Sequence, residues 1–314
     1  MRFSLIAAVF LFCRILTGEW TVEPLAAAAA SRGAALDRRM LFTWGEGAYR
    51  DGRKVRSERF GPGGCLYDVN SDGHADLILH RLPGEMIWAA GPDFRVARRI
   101  DTEADFADCM GAVVLGRRGV LVTHRGLQVR FYEIPVRWKN GKKWAYREIY
   151  SFYTASYQAG LLLRDINGDG LPDLLCGNYW IESPRQFALP WRLFAINTYN
   201  EELESARVRL QWTGDALLVS QPALGKGRVS VFTPPRDPKE LWRERLIAAD
   251  LDHPRAAMFR NGDLLVSEGQ RLWLYQGTTR RLLHDGVTLH SLLATDDGFL
   301  GVGERGALRL KQLP

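Results

Sequence analysis

The sequence predicts an all-β chain of repeated four-stranded units, and three observations predict it. The first is recurrence. Short apolar runs that follow a polar turn begin at Asp76, Gly119, Asp173, Asp215, Asp263 and Gly298. They lie about 44 residues apart on average, the length of chain that a four-stranded propeller blade takes. The second is what flanks each run. Another apolar run precedes it, as at 65–67, 112–115, 161–163, 208–212, 256–259 and 291–293. A third follows most of them, as at 129–134, 229–232 and 272–275, and a fourth often carries Trp or Arg, as at 144–150, 191–196 and 242–247. The third observation is the near absence of helical periodicity. Only 201–208 could make a turn or two, and the proline-rich 234–238 reads as a loop. Units of this kind cannot bury both faces alone, so they stack radially and close into a ring. The expectation is a single β-propeller of six blades, or of seven if 37–60 forms most of its own blade. The last copy ends short, at 307–313. Its outer strand is expected from the N-terminal segment, 40–44 or 54–60, so that both termini close one blade.

Taken in order, the sequence begins like a secretory leader. Arg2 supplies a positive start, 3–12 is an apolar run of the right length, and the alanines at 26–30 offer small residues for cleavage before Ser31. The expected division is a leader over 1–30 and a propeller over 31–314, in a secreted, periplasmic or cell-surface protein. Arg14 interrupts the apolar run, which is too short to span a bilayer, so no transmembrane span is expected in the mature protein. Cys13 follows Phe12, where a lipid-attachment site would have a small residue. Removing the leader leaves Cys65, Cys109 and Cys176. An odd number leaves at least one free thiol. All three fall in or near expected strands and read as buried small hydrophobes, with a Cys65–Cys109 bridge left open.

The protein has 314 residues, 46% hydrophobic and 25% charged, which is enough for a sizeable core. Its net charge is +6, but the basic residues are scattered in short pairs such as 38–39, 98–99 and 280–281. That reads as a solvated surface, with a basic face for polyanions as the alternative. No nucleic-acid-binding motif is present, and no nucleic acid is expected as partner. Nothing has zinc-site spacing. A monomer is expected.

Two hairpin turns carry the clearest chemistry. Asp68, Asn70, Asp72, His74 and Asp76 repeat, in the same spacing, as Asp165, Asn167, Asp169, Leu171 and Asp173. Both stretches read D-x-N-x-D-G-x-x-D. Oxygen side chains at positions 1, 3, 5 and 9, a backbone carbonyl at position 7 and a glycine at position 6 form the ligand spacing of a calcium loop. Calcium (Ca2+) is the expected cofactor. An EF-hand would also need a glutamate at position 12, where Leu79 and Cys176 stand, and flanking helices, where short apolar strands follow instead.

A calcium loop between two short strands, ending Asp173-Leu174-Leu175-Cys176-Gly177-Asn178, resembles the FG-GAP or VCBS repeat of integrin-like β-propellers. The first copy departs from the family pattern, having His80-Arg81 in place of the closing Gly-Asn. The other turns at 117–119, 213–215, 261–263 and 296–298 lack the ligand set and read as tight hairpins without metal. The resemblance implies calcium in a structural role. The ion would offset repulsion among Asp165, Asp169 and Asp173, about 1 kcal/mol or more for each pair.

The resemblance also implies a binding or scaffold module for a polysaccharide, a glycoconjugate or a protein. Two alternatives stand beside it. One is a propeller-type carbohydrate-active enzyme, lyase- or dehydratase-like, with its site in the central funnel. The other is a structural protein of a surface assembly. Candidate ligand-binding residues for the funnel are Tyr179, Trp180, Glu182 and His290. Packing between blades is the competing reading for Tyr179 and Trp180. His290 and Ser291 are adjacent on an expected strand and should face opposite sides, so they form no dyad. No GxSxG element is present, and no catalytic residue is nominated.

Overall fold

The computed structural model describes residues 20–25, 31–137, 142–152, 160–197, 208–222, 226–258, 262–304 and 306–312. Residues 1–19 and 26–30 of the expected leader, and all but Val208 of the expected helical turn, lie outside the described residues.

Seven four-stranded antiparallel sheets make up the described fold, so the six-blade expectation is corrected to seven. The fold opens with β1 (Trp20–Leu25). Blade 1 is β2 (Ser31–Asp37), β3 (Met40–Gly45), β4 (Ala48–Arg50) and β5 (Arg53–Arg56). Blade 2 is β6 (Phe60–Tyr67), β7 (Asp76–Arg81), β8 (Glu85–Ala89) and β9 (Ala97–Asp101). Blade 3 is β10 (Phe106–Val114), β11 (Arg117–His124), β12 (Gln128–Glu133) and β13 (Tyr146–Ser151). Blade 4 is β14 (Leu161–Arg164), β15 (Asp173–Cys176), β16 (Tyr179–Glu182) and β17 (Arg192–Ala195). Blade 5 is β18 (Arg209–Thr213), β19 (Ala216–Gln221), β20 (Gly227–Thr233) and β21 (Arg243–Leu251). Blade 6 is β22 (Arg255–Met258), β23 (Leu264–Glu268), β24 (Arg271–Gln276) and β25 (Thr279–Asp285). Blade 7 is β26 (Leu289–Ala294), β27 (Gly298–Gly303) and β28 (Gly306–Gln312), completed by β1 as its outer strand. Among the described residues no helix is long and apolar enough to cross a membrane.

The apolar runs are continuous, rather than alternating, because each sheet is covered on both faces. Successive side chains of a strand point to opposite faces, and here the two faces belong to two different cores. In β7, Leu77 and Leu79 join Phe42, Trp44 and Phe60 toward blade 1, while Ile78 joins Trp88, Phe106 and Val120 toward blade 3. In β15, Leu174 and Cys176 pack toward blade 3, and Leu175 packs with Trp180 and Leu217 toward blade 5. Each of these side chains is buried, and burying one stabilises by about 1.5–3 kcal/mol. A polar residue at any of these positions would leave an unpaired group between two sheets.

The ring closes differently from the expectation. The outer strand of blade 7 is β1, not 40–44 or 54–60, which fall in blade 1 and at the blade 1–blade 2 junction. β1 pairs with β28 from Trp20↔Gln312 to Leu25↔Ala307. Trp20 is buried, stacks on Phe299 with ring centroids 6.1 Å apart, and donates its indole N–H to Asp263 Oδ2 of blade 6 at 2.7 Å. β1 lies inside the 1–30 segment expected as a leader. Cleavage before Ser31 would remove this strand, so a leader compatible with the closed ring ends before Trp20.

A disulfide links Cys65 of β6 to Cys109 of β10, joining the first strands of blades 2 and 3 across 44 residues of sequence. Cys176 is a buried free thiol.

Candidate functional site at the mouth of the axial channel

The first strand of each blade lines the ring's axis, and the residues that start these strands meet at one end of it. Arg32 stands near the start of β2, Asp108 near the start of β10, and Arg209, Arg255 and His290 at the starts of β18, β22 and β26. All five line one cavity of about 310 Å3. Four of them form a basic arc across blades 5, 6, 7 and 1. Among the described lining residues the facing arc, in blades 2 and 3, carries Pro62, Gly64, Ala107 and Asp108. Its strand β6 contains Gly61, Gly63 and Gly64 because its neighbours leave no room: a Cβ at Gly63 would sit 2.2 Å from the Phe106 carbonyl oxygen, and one at Gly64 2.7 Å from the Trp44 ring.

Asp108 is committed to holding the mouth together. Its Oδ2 accepts the Gly160 amide of blade 4 at 2.7 Å and lies 3.4 Å from Arg209 Nη1 of blade 5. Gly160 is in the left-handed region at φ +84°, and a Cβ there would meet the Val208 carbonyl oxygen at 2.7 Å, so only glycine fits. Arg32 lies 3.4 Å from Glu46, and Arg255 Nη1 donates to the Pro254 carbonyl. Among the described residues the cavity lining holds three arginines and one carboxylate, Asp108, with Glu46 beside Arg32.

His290 is in the funnel, and its neighbourhood corrects one expectation. A register shift in the pairing of β26 with β27 falls between Leu289 and Ser291, at His290. The bulge turns the ring back onto its neighbour, so Nδ1 sits 2.9 Å from Ser291 Oγ although the two residues are adjacent. Nε2 sits 3.1 Å from Ser31 Oγ, and Ser31 donates its hydroxyl to the Gly33 carbonyl at 3.2 Å. Ser31 is buried and its proton is directed to a backbone oxygen, which is not the geometry of a nucleophile facing its base.

The other three expected ligand residues lie elsewhere. Trp180 is fully buried between blades 4 and 5, stacked on Phe194 at 4.7 Å, with its indole donating to the Pro238 carbonyl. Tyr179 packs against Phe152. Glu182 accepts from Asn167 Nδ2 at 3.1 Å and pairs with Lys239 at 3.3 Å, beside the second calcium-type loop. The arginines of the mouth were missed because they look scattered in sequence. Their shared place, at the start of each blade's first strand, is the signal that could have found them.

The two calcium-type loops join first to second strands, so they sit at the other end of the blades from the mouth. In the second loop Asp165 accepts the amides of Gly168, Asp169 and Gly170, Asn167 accepts that of Asp169, and Asp169 accepts that of Leu171. The first loop repeats this through Asp68, Asn70 and Asp72, whose Oδ1 accepts the His74 amide. Glycine, or Ser71 at φ +61°, takes the left-handed positions that wrap the backbone around these oxygens. The ninth-position carboxylates are buried and serve as clamps. Asp173 accepts the amides of Ile166 and Ser183, and Asp76 those of Val69 and Gly91. Burial raises both above the ordinary carboxylate range, Asp173 to about 6. Among the described residues no group of three or more His, Cys, Asp and Glu is gathered as a metal site. The loops' donors are oxygens, which suits calcium in kind. Part of a calcium shell comes from Asn oxygens and backbone carbonyls, which lie outside that residue set.

No protein-family model and no curated protein matches this sequence. Solved structures do. YCF48 from Cyanidioschyzon merolae superposes with a TM-score of 0.60 at 13% identity, covering 94% of this protein and 98% of that one. The fold is a β-propeller. YCF48 bound to D1 peptide gives 0.56 at 14% identity, covering 94% and 97%. The extracellular domain of BT4673 from B. thetaiotaomicron gives 0.58 at 13% identity, covering 93% of this propeller but 40% of that protein.

Proposed function

We propose that this propeller is an exported interaction module that recognises an acidic ligand at the mouth of its axial channel, with calcium tying two hairpins at the other end. One observation carries the reading: Arg32, Arg209 and Arg255, from three blades, face a single cavity, with one carboxylate, Asp108, among its described lining residues. A concave site with a few convergent polar groups is where a propeller binds, and guanidinium groups suit carboxylate, sulfate or phosphate. The ligand class is a polysaccharide, a glycoconjugate or a protein bearing such groups. Three things support the setting. A Cys65–Cys109 disulfide persists in oxidising compartments, the N-terminal sequence reads as a leader, and the paired loops keep the FG-GAP spacing. Among structurally similar propellers, one is bound to a peptide and another is an extracellular domain. In the calcium loops, Asp165, Asn167 and Asp169, and their counterparts Asp68, Asn70 and Asp72, would hold the ion with the carbonyls of Leu171 and His74. The enzyme reading gains no support from Tyr179 and Glu182, which stand apart from His290.

The test is binding of poly-glutamate, oligogalacturonate and a heparin oligosaccharide to the protein retaining Trp20, compared with an Arg209→Ala, Arg255→Ala variant of equal melting temperature. Binding of at least one that weakens tenfold or more in the variant is the expected result. Equal binding by both proteins, or none by either, sinks the proposal.

A further inference from the structure

We infer that the acidic group taken by the channel mouth is a peptide carboxylate, either a free C-terminus or an Asp or Glu side chain, carried on an aliphatic segment. This rests on the acidic-ligand reading above and narrows it. Beside the arginines the described cavity wall is aliphatic at Ala34, Leu210, Ala257, Leu292 and Leu293. Its other polar side chains are engaged within the fold, Asp108 with the Gly160 amide, Gln211 with the Met258 backbone, and His290 with Ser31 and Ser291. The two aromatic lining residues are spent in the wall. Trp44 is 2% exposed, donates its indole to the Pro62 carbonyl, and has Gly33 and Gly64 packed against it. Phe299 is 1% exposed and stacked on Trp20. Neither ring offers a face to the cavity, so the platform on which a sugar ring would stack is missing from the described lining. What remains is planar guanidinium forks, which match a carboxylate in two parallel hydrogen bonds, beside a wall that suits branched aliphatic side chains. At about 310 Å3 the cavity is at the small end of ligand sites, roughly 300–1,000 Å3. It takes one acidic group and its immediate neighbours rather than a folded surface.

The experiment uses the intact protein and two immobilised sets of random decapeptides, one with free C-termini and one amidated, alongside oligogalacturonate in solution. The expected outcome is selection of peptides with leucine, isoleucine or valine within two or three positions of a carboxylate. If the source is the terminus, amidation weakens binding tenfold or more. If it is a side chain, the amidated set still binds, and exchanging aspartate for asparagine in the selected peptide has that effect. Arg255→Ala should weaken the selected peptide at least tenfold, with Arg255→Lys intermediate, and Leu293→Ser should erase the aliphatic preference while leaving the melt unchanged. Arg255-dependent binding of oligogalacturonate with no peptide selected would overturn this inference and leave the acidic-ligand reading standing. Selection without aliphatic preference, or indifferent to Leu293→Ser, would also overturn it. If neither peptide nor oligogalacturonate binds, this inference falls, and the reading falls with it when poly-glutamate and heparin also fail.

Discussion

Blade 2 and blade 7 have the same four antiparallel strands, yet they are held by different means. Blade 2 is one unbroken stretch, and its second strand begins with a buried carboxylate, Asp76, that clamps the amides of Val69 and Gly91. Its first strand is bonded covalently to blade 3. Blade 7 is assembled from the two ends of the fold, and its lock sits in the neighbouring blade. Asp263, at the turn before β23, occupies the hairpin position of Asp76 and Asp173. It accepts the Trp20 indole and Gln312 Nε2 from blade 7 and Gln276 Nε2 from its own blade. A buried carboxylate has to be satisfied by donors. Where the hairpin keeps the D-x-N-x-D-G loop, the donors come from the same blade. Where the loop is lost, the position is free to latch one blade to the next.

The largest effect should come from removing the noncovalent closure. A protein beginning at Ser31 lacks the six pairs of β1 with β28 and leaves the edge of β28 bare. It should aggregate, or melt about 10 °C or more below one beginning at residue 19. Trp20→Ala, which leaves the strand but empties a buried site, should cost about 3–5 kcal/mol. Equal melting of the Ser31 form would show that blade 7 closes without its outer strand.

Next comes the covalent seam. Replacing Cys65 and Cys109 by alanine releases a loop of 44 residues, worth about 4 kcal/mol in the chain-entropy picture. The contrast sharpens in a reductant titration. Reduction should destabilise the wild type and leave the double variant unchanged, whereas the Trp20→Ala variant should respond to reductant as the wild type does.

The blade 2–3 side should also be the acid-sensitive one. His124, buried at the end of β11, has its pKa lowered to about 4, first by burial and then by the charges of Arg130 and Arg125. The unfolded state takes up this proton near pH 6.5. Between about 6.5 and 4 the unfolded state therefore binds more protons, and stability falls as pH falls, by up to about 3 kcal/mol. His124→Gln should flatten that part of the urea midpoint against pH. An unchanged slope would place the acid sensitivity in other groups.

How much of this was readable in sequence follows from where each feature gets its definition. Blades 2 to 6 were legible because doubly covered strands leave apolar triplets such as Leu77-Ile78-Leu79 at a steady spacing. Blade 1 was legible only as the seven-blade alternative over 37–60, because its first strand, Ser31–Asp37, is made mostly of small and charged residues beside an alanine run, and its third has only three residues. β1 was hidden for another reason. It follows an apolar stretch and reads as part of it until Gln312 and Asp263 are seen to receive it. The channel mouth depends on closure of the whole ring, since Arg32, Arg209 and Arg255 become neighbours only through it. The pairing of His290 with Ser291 needed a bulge that strand alternation does not foresee.

A smaller effect separates the latch from the clamps. Asp263→Asn keeps the shape but turns an N–H toward donors from Trp20 or the glutamines, leaving a buried donor unmatched at about 1–3 kcal/mol. The loss should be smaller once the Trp20 indole is gone, with Gln276 and Gln312 still to be accepted, so a double-mutant cycle between Asp263→Asn and Trp20→Ala should show coupling. Additive losses would mean that Asp263 supports blade 6 alone.

Calcium should produce the smallest shift, and it tests the clamp side of the comparison. The loops are already wrapped on their own amides, and they lack a twelfth-position glutamate, which places affinity near that of extracellular modules, about 10⁻⁴–10⁻³ M. At ten times such a dissociation constant, binding stabilises by about 1.4 kcal/mol per site. Millimolar calcium should therefore raise the melting temperature by a few degrees, EGTA should reverse it, and an Asp165→Ala, Asp169→Ala variant should halve it by silencing blade 4 alone. The Asp263→Asn variant should respond like the wild type, because the latch position has lost the loop that would bring an ion to it. If calcium leaves every variant's melt unchanged, Asp68, Asn70, Asp72 and their repeats in blade 4 are turn-capping residues, and the two kinds of buried carboxylate differ only in whose N–H groups they accept.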